Sequence, residues 1–197
     1  MKSISTFFNE FLRDEINLNQ TRLKVAERGI EVIENFLGGN PKFSNNIRVI
    51  KPQGSYRQET IIKPFGESSD FDVDLLLLLY EFNNWQPKDY LNNLHNEFKK
   101  SKRYCELVDR RGKSRCVTID YESDFHIDIV PAIEINGVFK IMNKNSNEFE
   151  DTDGDGYAEW FEDKNLIASG QYLTKVVRLI KYLRDSKKTF SILIRFL

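Results

Sequence analysis

Residues 71–80 constrain the fold more than any other segment of this sequence. Acidic and apolar residues alternate at its start, and an unbroken run of leucines, Leu75 to Leu79, then follows. A short apolar run of this kind is typical of a central strand that is covered on both faces of a sheet. With 197 residues, of which 40% are apolar, the chain is long enough to build such a core.

Acidic side chains are predicted to share one face of this strand, because side chains two positions apart in a strand lie on the same face. The alternating acids are Asp70, which directly precedes this segment, and Asp72 and Asp74 within it. The segment 124–134 repeats the arrangement, with Asp124, His126 and Asp128 at alternate positions. We therefore expect an acidic face on each of two strands, opposite an apolar face.

Clustered carboxylates predict a metal site, because they repel one another unless a cation lies between them. Mg²⁺ is the expected cofactor, with Mn²⁺ as an alternative, since Mg²⁺ prefers a few carboxylates together with substrate phosphates. Two such ions can clamp the attacking and leaving oxygens of a nucleotidyl transfer. The expected catalytic and metal-binding residues are Asp72, Asp74 and Asp128. His126 lies on the same face, where it either modulates the acidic site or has a structural role.

A Gly-Ser turn, Gly54-Ser55, lies shortly before these acids and predicts a phosphate cradle. Glycine lets the backbone approach phosphate oxygens, and a serine hydroxyl together with the N–H groups that open a helix can bind them. A phosphate site beside a metal site favours chemistry on a nucleotide.

The remaining pattern predicts helices, then a mixed sheet, then helices, which is an α+β or mixed α/β fold. Helices are expected at 3–15, 18–37, 56–61, 87–101, 157–164 and 169–186. Strands are expected at 47–52, 71–80, 103–109, 114–121, 124–134 and 137–142, with turns at 111–113 and at Asn136-Gly137. The helix at 18–37 carries a long apolar stripe and is expected to brace the domain.

Composition argues against several classes of protein. The net charge of −1 argues against a broad nucleic-acid surface. An apolar run of about 18 residues is absent, so no membrane span is expected, and the N-terminus lacks a secretory pattern. The two cysteines, Cys105 and Cys116, are too few for a disulfide framework and favour a cytoplasmic setting.

Three stretches resemble the nucleotidyltransferase superfamily that includes DNA polymerase beta, and more closely the bacterial CD-NTases. They are Gly-Ser-Tyr-Arg-Gln-Glu-Thr-Ile-Ile-Lys-Pro (54–64), Ser-Asp-Phe-Asp-Val-Asp-Leu (69–75) and His-Ile-Asp-Ile-Val-Pro-Ala (126–132). CD-NTases are related to animal cyclic GMP–AMP synthase and oligoadenylate synthetase, and make cyclic oligonucleotide second messengers from NTPs, commonly in anti-phage defence. The resemblance implies a polymerase-beta-like core and ATP, GTP or other NTPs as substrates.

The same resemblance implies roles for individual residues. Asp72 and Asp74 would hold both metals, and Asp128 would complete the metal nearest the attacking hydroxyl. The implied nucleotide-binding residues are Gly54, Ser55, Lys181 and Ser191.

The end of the chain departs from the family, which continues beyond Phe190-Ser191 into a helical second half. We expect one nucleotidyltransferase domain, 1–197, made of N-terminal helices (1–40), a catalytic sheet core (41–150) and an incomplete second lobe (151–197). The apolar tail would need burial, and we expect it to promote self-association or to bind a protein partner. Two alternatives stay open: a truncated nucleotide-binding or regulatory module of weak or no activity, and a minimal nucleotidyltransferase that modifies RNA or protein.

A second motif, residues 151–162, fits the EF-hand pattern, in which spaced oxygen ligands hold Ca²⁺. Residues 140–150 carry no helical apolar stripe, so the entering helix of an EF-hand is missing. We therefore expect no Ca²⁺ site there.

Overall fold

The computed structural model describes residues 3–64, 70–109, 113–121, 125–167 and 172–186. Its helices are α1 (Ile4–Phe11), α2 (Gln20–Gly38), α3 (Gly54–Arg57), α4 (Pro87–Lys100), α5 (Gly154–Ile167) and α6 (Tyr172–Ser186). Its strands are β1 (Ile47–Gln53), β2 (Phe71–Leu79), β3 (Val117–Tyr121), β4 (Phe125–Ile135), β5 (Val138–Asn143) and β6 (Glu148–Asp151). A π-helical turn (Leu12–Ile16) follows α1, and a 3₁₀ turn (Ser44–Asn46) precedes β1.

The strands form one mixed sheet with the order β1-β2-β4-β5-β6. β2 runs antiparallel to β1 and parallel to β4. β3 pairs with the first half of β4, and β5 pairs with its second half. This sheet, flanked by helices, confirms the predicted fold class.

The leucine run of β2 is buried on both faces, as predicted. Leu75, Leu77 and Leu79 belong to the main core, which also contains the buried residues of α2 and α4. Leu76 and Leu78 pack with Ala132 in a second cluster on the other face. The two faces therefore have separate apolar layers.

Helix α2 braces the sheet through the predicted stripe. Ile30 and Ile33 are buried in the core, and the helix ends at Gly38. Gly29 permits close contact with β4, because an added Cβ would lie 3.2 Å from the Phe125 ring. The apolar stripe of α1 is not buried: Ile4 is 88% exposed, and burial begins with Leu12 and Ile16 in the following π-helical turn. Among the described helices, none combines the length and apolarity that crossing a membrane requires.

The predicted strand at 103–109 is wrong. Residues 102–107 form consecutive turns, and only Val108 makes an isolated bridge, with Ile119. Tyr104 explains the difference, because its fully buried ring packs edge-on against Phe36 and Phe98. Anchoring this ring in the core holds the chain in a bend, which an extended strand could not follow.

The short helix after β1, strand β6 and two turns complete the comparison with the predicted elements. The short helix expected at 56–61 begins earlier, at Gly54, and ends at Arg57. Strand β6 was not predicted, because Phe149 is its only apolar residue. The Asn136-Gly137 hairpin is confirmed, with φ values of 53° and 79° that suit a two-residue turn. Most of the turn expected at 111–113 lies outside the described residues.

Candidate active site

Parallel pairing of β2 with β4 brings the predicted carboxylates together. Asp74 is the Cα partner of Asp128, and Asp72 is the Cα partner of His126. The apolar residues between the acids are buried in the core, so the acids lie on the opposite face of the sheet. Asp72 is exposed, Asp74 is half-buried and Asp128 is buried.

Asp128 is held by two donors. The Lys113 ammonium lies 2.7 Å from Asp128 Oδ2 and 3.0 Å from Oδ1. The Thr118 hydroxyl donates to Oδ1 at 2.5 Å from the neighbouring strand β3. The sequence pattern predicts a role for neither residue. Thr118 could have been found as the strand partner of the acid, but Lys113 belongs to the predicted turn 111–113 and has no periodic pattern around it.

His126 links two acids at the start of β2. Its Nδ1 lies 2.9 Å from Asp70 Oδ2, and its Nε2 lies 3.0 Å from Asp72 Oδ1. The hydrogen bond to Asp72 is the main cause that raises the pKa of His126 to about 9, while burial opposes it. The ring is therefore an imidazolium at neutral pH, and its hydrogen bond lowers the pKa of Asp72.

Asp74 is the acid of this cluster whose ionised form is disfavoured by its surroundings. Burial, followed by the charges of Asp128 and Asp72, raises the pKa of Asp74 to about 6. The positive charges of Lys113 and His126 oppose this shift without cancelling it. The carboxylates on this face therefore repel one another, as the sequence predicts.

The donor set fits Mg²⁺ in kind, because carboxylates that repel one another on one face are ligands that this ion prefers. As placed, no three His, Cys, Asp or Glu side chains of the described residues converge into a ready metal site. Lys113 pairs with Asp128, and His126 pairs with Asp72. Both partners would have to release their carboxylates for Mg²⁺ to bind.

The Gly54-Ser55 turn lies directly against Asp74. Gly54 opens α3 with a φ of +60°, and an added Cβ would lie 2.5 Å from Asp74 Oδ2. The Ser55 carbonyl accepts a hydrogen bond from the Thr60 N–H at 2.8 Å. The turn predicted to bind phosphate is thus adjacent to the predicted metal ligands.

Lys181 reaches the same region from α6. Its ammonium donates to the Thr60 carbonyl at 3.1 Å and to the Thr60 hydroxyl at 3.2 Å. Burial, and then the charge of Arg184, lowers the pKa of Lys181, while the charge of Asp74 raises it. Two other predicted residues, Ser191 and Asp124, lie outside the described residues, and the role given to Ser191 stays a prediction.

The acids of the EF-hand-like segment 151–162 are used in other ways. Asp151 lies on β6 and pairs with Lys140. Asp153 caps α5, accepting a hydrogen bond from the Gly156 N–H at 3.0 Å. Asp155 pairs with two cations, and the segment is a strand followed by a helix. Among the described residues, no group of three or more His, Cys, Asp or Glu side chains is placed to hold a metal ion, and the absence of Ca²⁺ binding stays a prediction.

We therefore expect Ca²⁺ to leave the thermal stability unchanged. A site filled at 100 times its dissociation constant would add about 2.7 kcal/mol, which a melting curve with and without Ca²⁺ would detect. Asp151→Asn serves as the control. A Ca²⁺-dependent rise in melting temperature that this variant abolishes would contradict the prediction.

An α+β domain with paired acids on neighbouring strands beside a Gly-Ser turn is a nucleotidyltransferase fold of the polymerase-beta-like class. The chain belongs to the family of Second Messenger Oligonucleotide or Dinucleotide Synthetase (SMODS) domains, whose model matches residues 1–165. The resemblance to the CD-NTases is thereby confirmed.

Individual relatives agree with this family. A protein of Roseivirga ehrenbergii named c-di-GMP synthase is 27% identical over 158 residues, which are 77% of this chain and 41% of that protein. CdnC of E. coli MS115-1, in a complex with HORMA-deltaN, has a TM-score of 0.70 at 18% identity, covering 95% of this chain and 58% of that one. CdnE c-di-GMP synthase from Capnocytophaga granulosa has a TM-score of 0.62 at 21% identity, covering 87% and 55%. This chain therefore spans only about half the length of each of these relatives.

Proposed function

We propose that this chain contains the catalytic core of a CD-NTase that joins NTPs into a cyclic di- or oligonucleotide second messenger. The in-register pair Asp74 and Asp128, with Gly54 against it, is the observation that carries the proposal. The relatives named c-di-GMP synthase support a cyclic dinucleotide as the product. Structures of similar fold, CdnG of Bradyrhizobium diazoefficiens with GTP and CdnC of E. coli MS115-1 with ATP, support NTP substrates. The resemblance to CD-NTases is the basis for proposing a role in anti-phage signalling, and the low number of cysteines is the basis for proposing a cytoplasmic location.

Mg²⁺, or alternatively Mn²⁺, would be held by Asp72, Asp74 and Asp128, and would stabilise negative charge on phosphate oxygens. Asp128 would favour loss of the proton from the attacking ribose hydroxyl once Lys113 has moved away. Lys181 would turn from Thr60 toward the triphosphate.

The Gly54-Ser55 turn would orient the donor triphosphate, and Ser191 would make a further phosphate contact. Lys181 would then neutralise the charge that develops on the departing pyrophosphate. We retain the division into N-terminal helices (1–40), sheet core (41–150) and second lobe (151–197). The apolar tail, proposed to self-associate or bind a protein, lies outside the described residues.

Incubation of the purified protein with pairs of NTPs and Mg²⁺, followed by mass spectrometry, tests this function. We expect masses of cyclic di- or oligonucleotides together with pyrophosphate, and neither in EDTA nor with Asp74→Asn. Binding of Mg-NTP without any product would favour the nucleotide-binding module instead. Nucleotides attached to added RNA or to protein would favour the minimal nucleotidyltransferase. A protein that neither binds nor converts any NTP would overturn the proposal.

A further inference from the structure

Asp155 joins two cations that lie on opposite sides of the Gly54-Ser55 turn. Its Oδ1 accepts a hydrogen bond from Arg57 Nη1 at 2.7 Å, and its Oδ2 pairs with the Lys51 ammonium. Lys51 lies on β1 before the turn, and Arg57 ends α3 after it. A single carboxylate at the start of α5 therefore bridges both ends of the short segment that contains the turn.

The backbone at the start of α5 also lies close to the side chain of Gln53, just before the turn. An added Cβ at Gly154 would lie 3.2 Å from the side-chain oxygen of Gln53, the residue before Gly54. About two helical turns after Asp155 along α5, Glu162 Oε1 lies 3.6 Å from Arg57 Nε. Three residues of one helix, Gly154, Asp155 and Glu162, thus lie against the two flanks of the turn.

Much of this network is shielded from water. The side chains of Asp155, Arg57 and Lys51 are 22%, 25% and 30% exposed. Burial tends to raise the pKa of Asp155, but the hydrogen bonds from Lys51 and Arg57 outweigh it and lower this pKa. The carboxylate is therefore ionised and paired at neutral pH.

Helix α3 depends on such outside contacts, because a helix of four residues is not stable by itself. The segment after it is held by α6, where Arg178 Nε donates to the Glu59 carbonyl at 2.6 Å and Lys181 donates to Thr60. Helix α5 holds the part that contains Gly54. The position of the turn is therefore set by both helices.

We propose that Asp155 is a positioning residue of the nucleotidyltransferase site, which fixes the Gly54-Ser55 turn against Asp74 by holding Lys51 and Arg57 together. Its effect on nucleotide binding rests on the proposed function. Gly54 has no spare room beside Asp74, so a displaced turn would change where a triphosphate lies relative to the acids. The resemblance of residues 151–162 to a Ca²⁺ loop then has a separate explanation, since Asp155 binds the chain's own cations.

We call the pairs of Asp155 with Lys51 and Arg57 the clamp. Amide hydrogen exchange tests, without any nucleotide, whether this clamp holds the turn in place. The amides of Gln58, Glu59 and Thr60 close α3 and the turn after it, and Asp155→Asn should raise their exchange rates about tenfold, as expected for loss of a charged hydrogen bond. The control is Glu134→Gln, which removes a carboxylate paired with Arg48 on the same strand as Lys51 but remote from the turn. It should leave these amides unchanged.

Slow exchange of the β4 amides would show that each variant is folded. Lys51→Met, which keeps the Arg57–Asp155 pair, should give a smaller rise and provides a second variant if Asp155→Asn does not fold. Unchanged exchange at the turn in both Asp155→Asn and Lys51→Met, or an equal rise in Glu134→Gln, would overturn the clamp.

Calorimetry with Mg-GTP and Mg-ATP tests the positioning role. Asp155→Asn should weaken binding about tenfold, while Glu134→Gln should stay within twofold of the wild type. A loosened turn with unchanged nucleotide affinity would overturn the positioning role. A wild-type protein that binds neither nucleotide would instead overturn the proposed function, and the exchange data alone would then decide the clamp.

Discussion

Asp74→Asn should stabilise the metal-free protein and at the same time strongly weaken Mg²⁺-dependent nucleotide binding. In the folded state the pKa of Asp74 is raised to about 6 from 3.8, which corresponds to roughly 3 kcal/mol of unfavourable interaction when ionised. Partial exposure reduces this value, so we expect the free energy of unfolding at pH 7.5 to rise by about 1–2 kcal/mol. Loss of a metal ligand should weaken Mg-NTP binding by about 100-fold or more.

The pH dependence has a defined sign. A carboxyl group with a raised pKa in the folded state favours folding below its unfolded pKa, and this advantage is lost as the pH rises through its folded pKa. In EDTA, the Asp74 contribution should therefore disappear between about pH 4 and pH 6. Asp74→Asn should lack this part of the pH profile.

Urea denaturation and calorimetry measure the two effects of Asp74→Asn. Glu148→Gln, which neutralises an exposed carboxylate on β6, is the control and should change neither stability nor binding. Retention of wild-type Mg-NTP affinity in Asp74→Asn would refute the assignment of this acid to the site.

Gly54→Ala should disable nucleotide binding and destabilise the fold more than the same change at another left-handed glycine. Gly54 and Gly137 both have positive φ, at +60° and +79°, so alanine is strained at either position. A Cβ at Gly137 meets nothing within 4 Å, whereas one at Gly54 lies 2.5 Å from Asp74 Oδ2. We expect a cost of about 1 kcal/mol at Gly137 and about 2–3 kcal/mol at Gly54.

Asp74→Ala provides the decisive background, because it removes the carboxylate that the new Cβ would meet. In that background Gly54→Ala should cost no more than Gly137→Ala, as measured by urea denaturation. In the wild-type background Asp74 must rotate away from the new methyl group, so Mg-NTP affinity should fall, while Gly137→Ala should leave it unchanged. Equal costs at both glycines in both backgrounds would contradict the close contact.

Local patterns predicted the strand faces and the bracing helix because they depend on periods of two and 3.6 residues. Such periods placed Asp72 and Asp74 on one face of β2 and the stripe of α2 in the core. The Asn136-Gly137 turn was also predictable, because its backbone requires residues that tolerate positive φ. The resemblance to CD-NTases rested on motifs inside these same segments.

Long-range contacts decided what the local pattern could not predict. Lys113 and Thr118 hold Asp128, and nothing in the sequence around Lys113 indicates that contact. The strand expected at 103–109 is a bend because the Tyr104 ring is buried in the core against Phe98 and against Phe36 of the distant helix α2. Side-chain burial outweighed local strand preference there.

The sequence by itself determined the fold class, the family and the side of each strand on which its acids lie. Only the tertiary structure decided that Asp74 lies opposite Asp128, since a parallel register between β2 and β4 depends on packing across the whole sheet. It also decided that Asp155 reaches Lys51 and Arg57 across about a hundred residues of chain. Such contacts form only when separate elements pack together, and periodicity within one element carries no information about them.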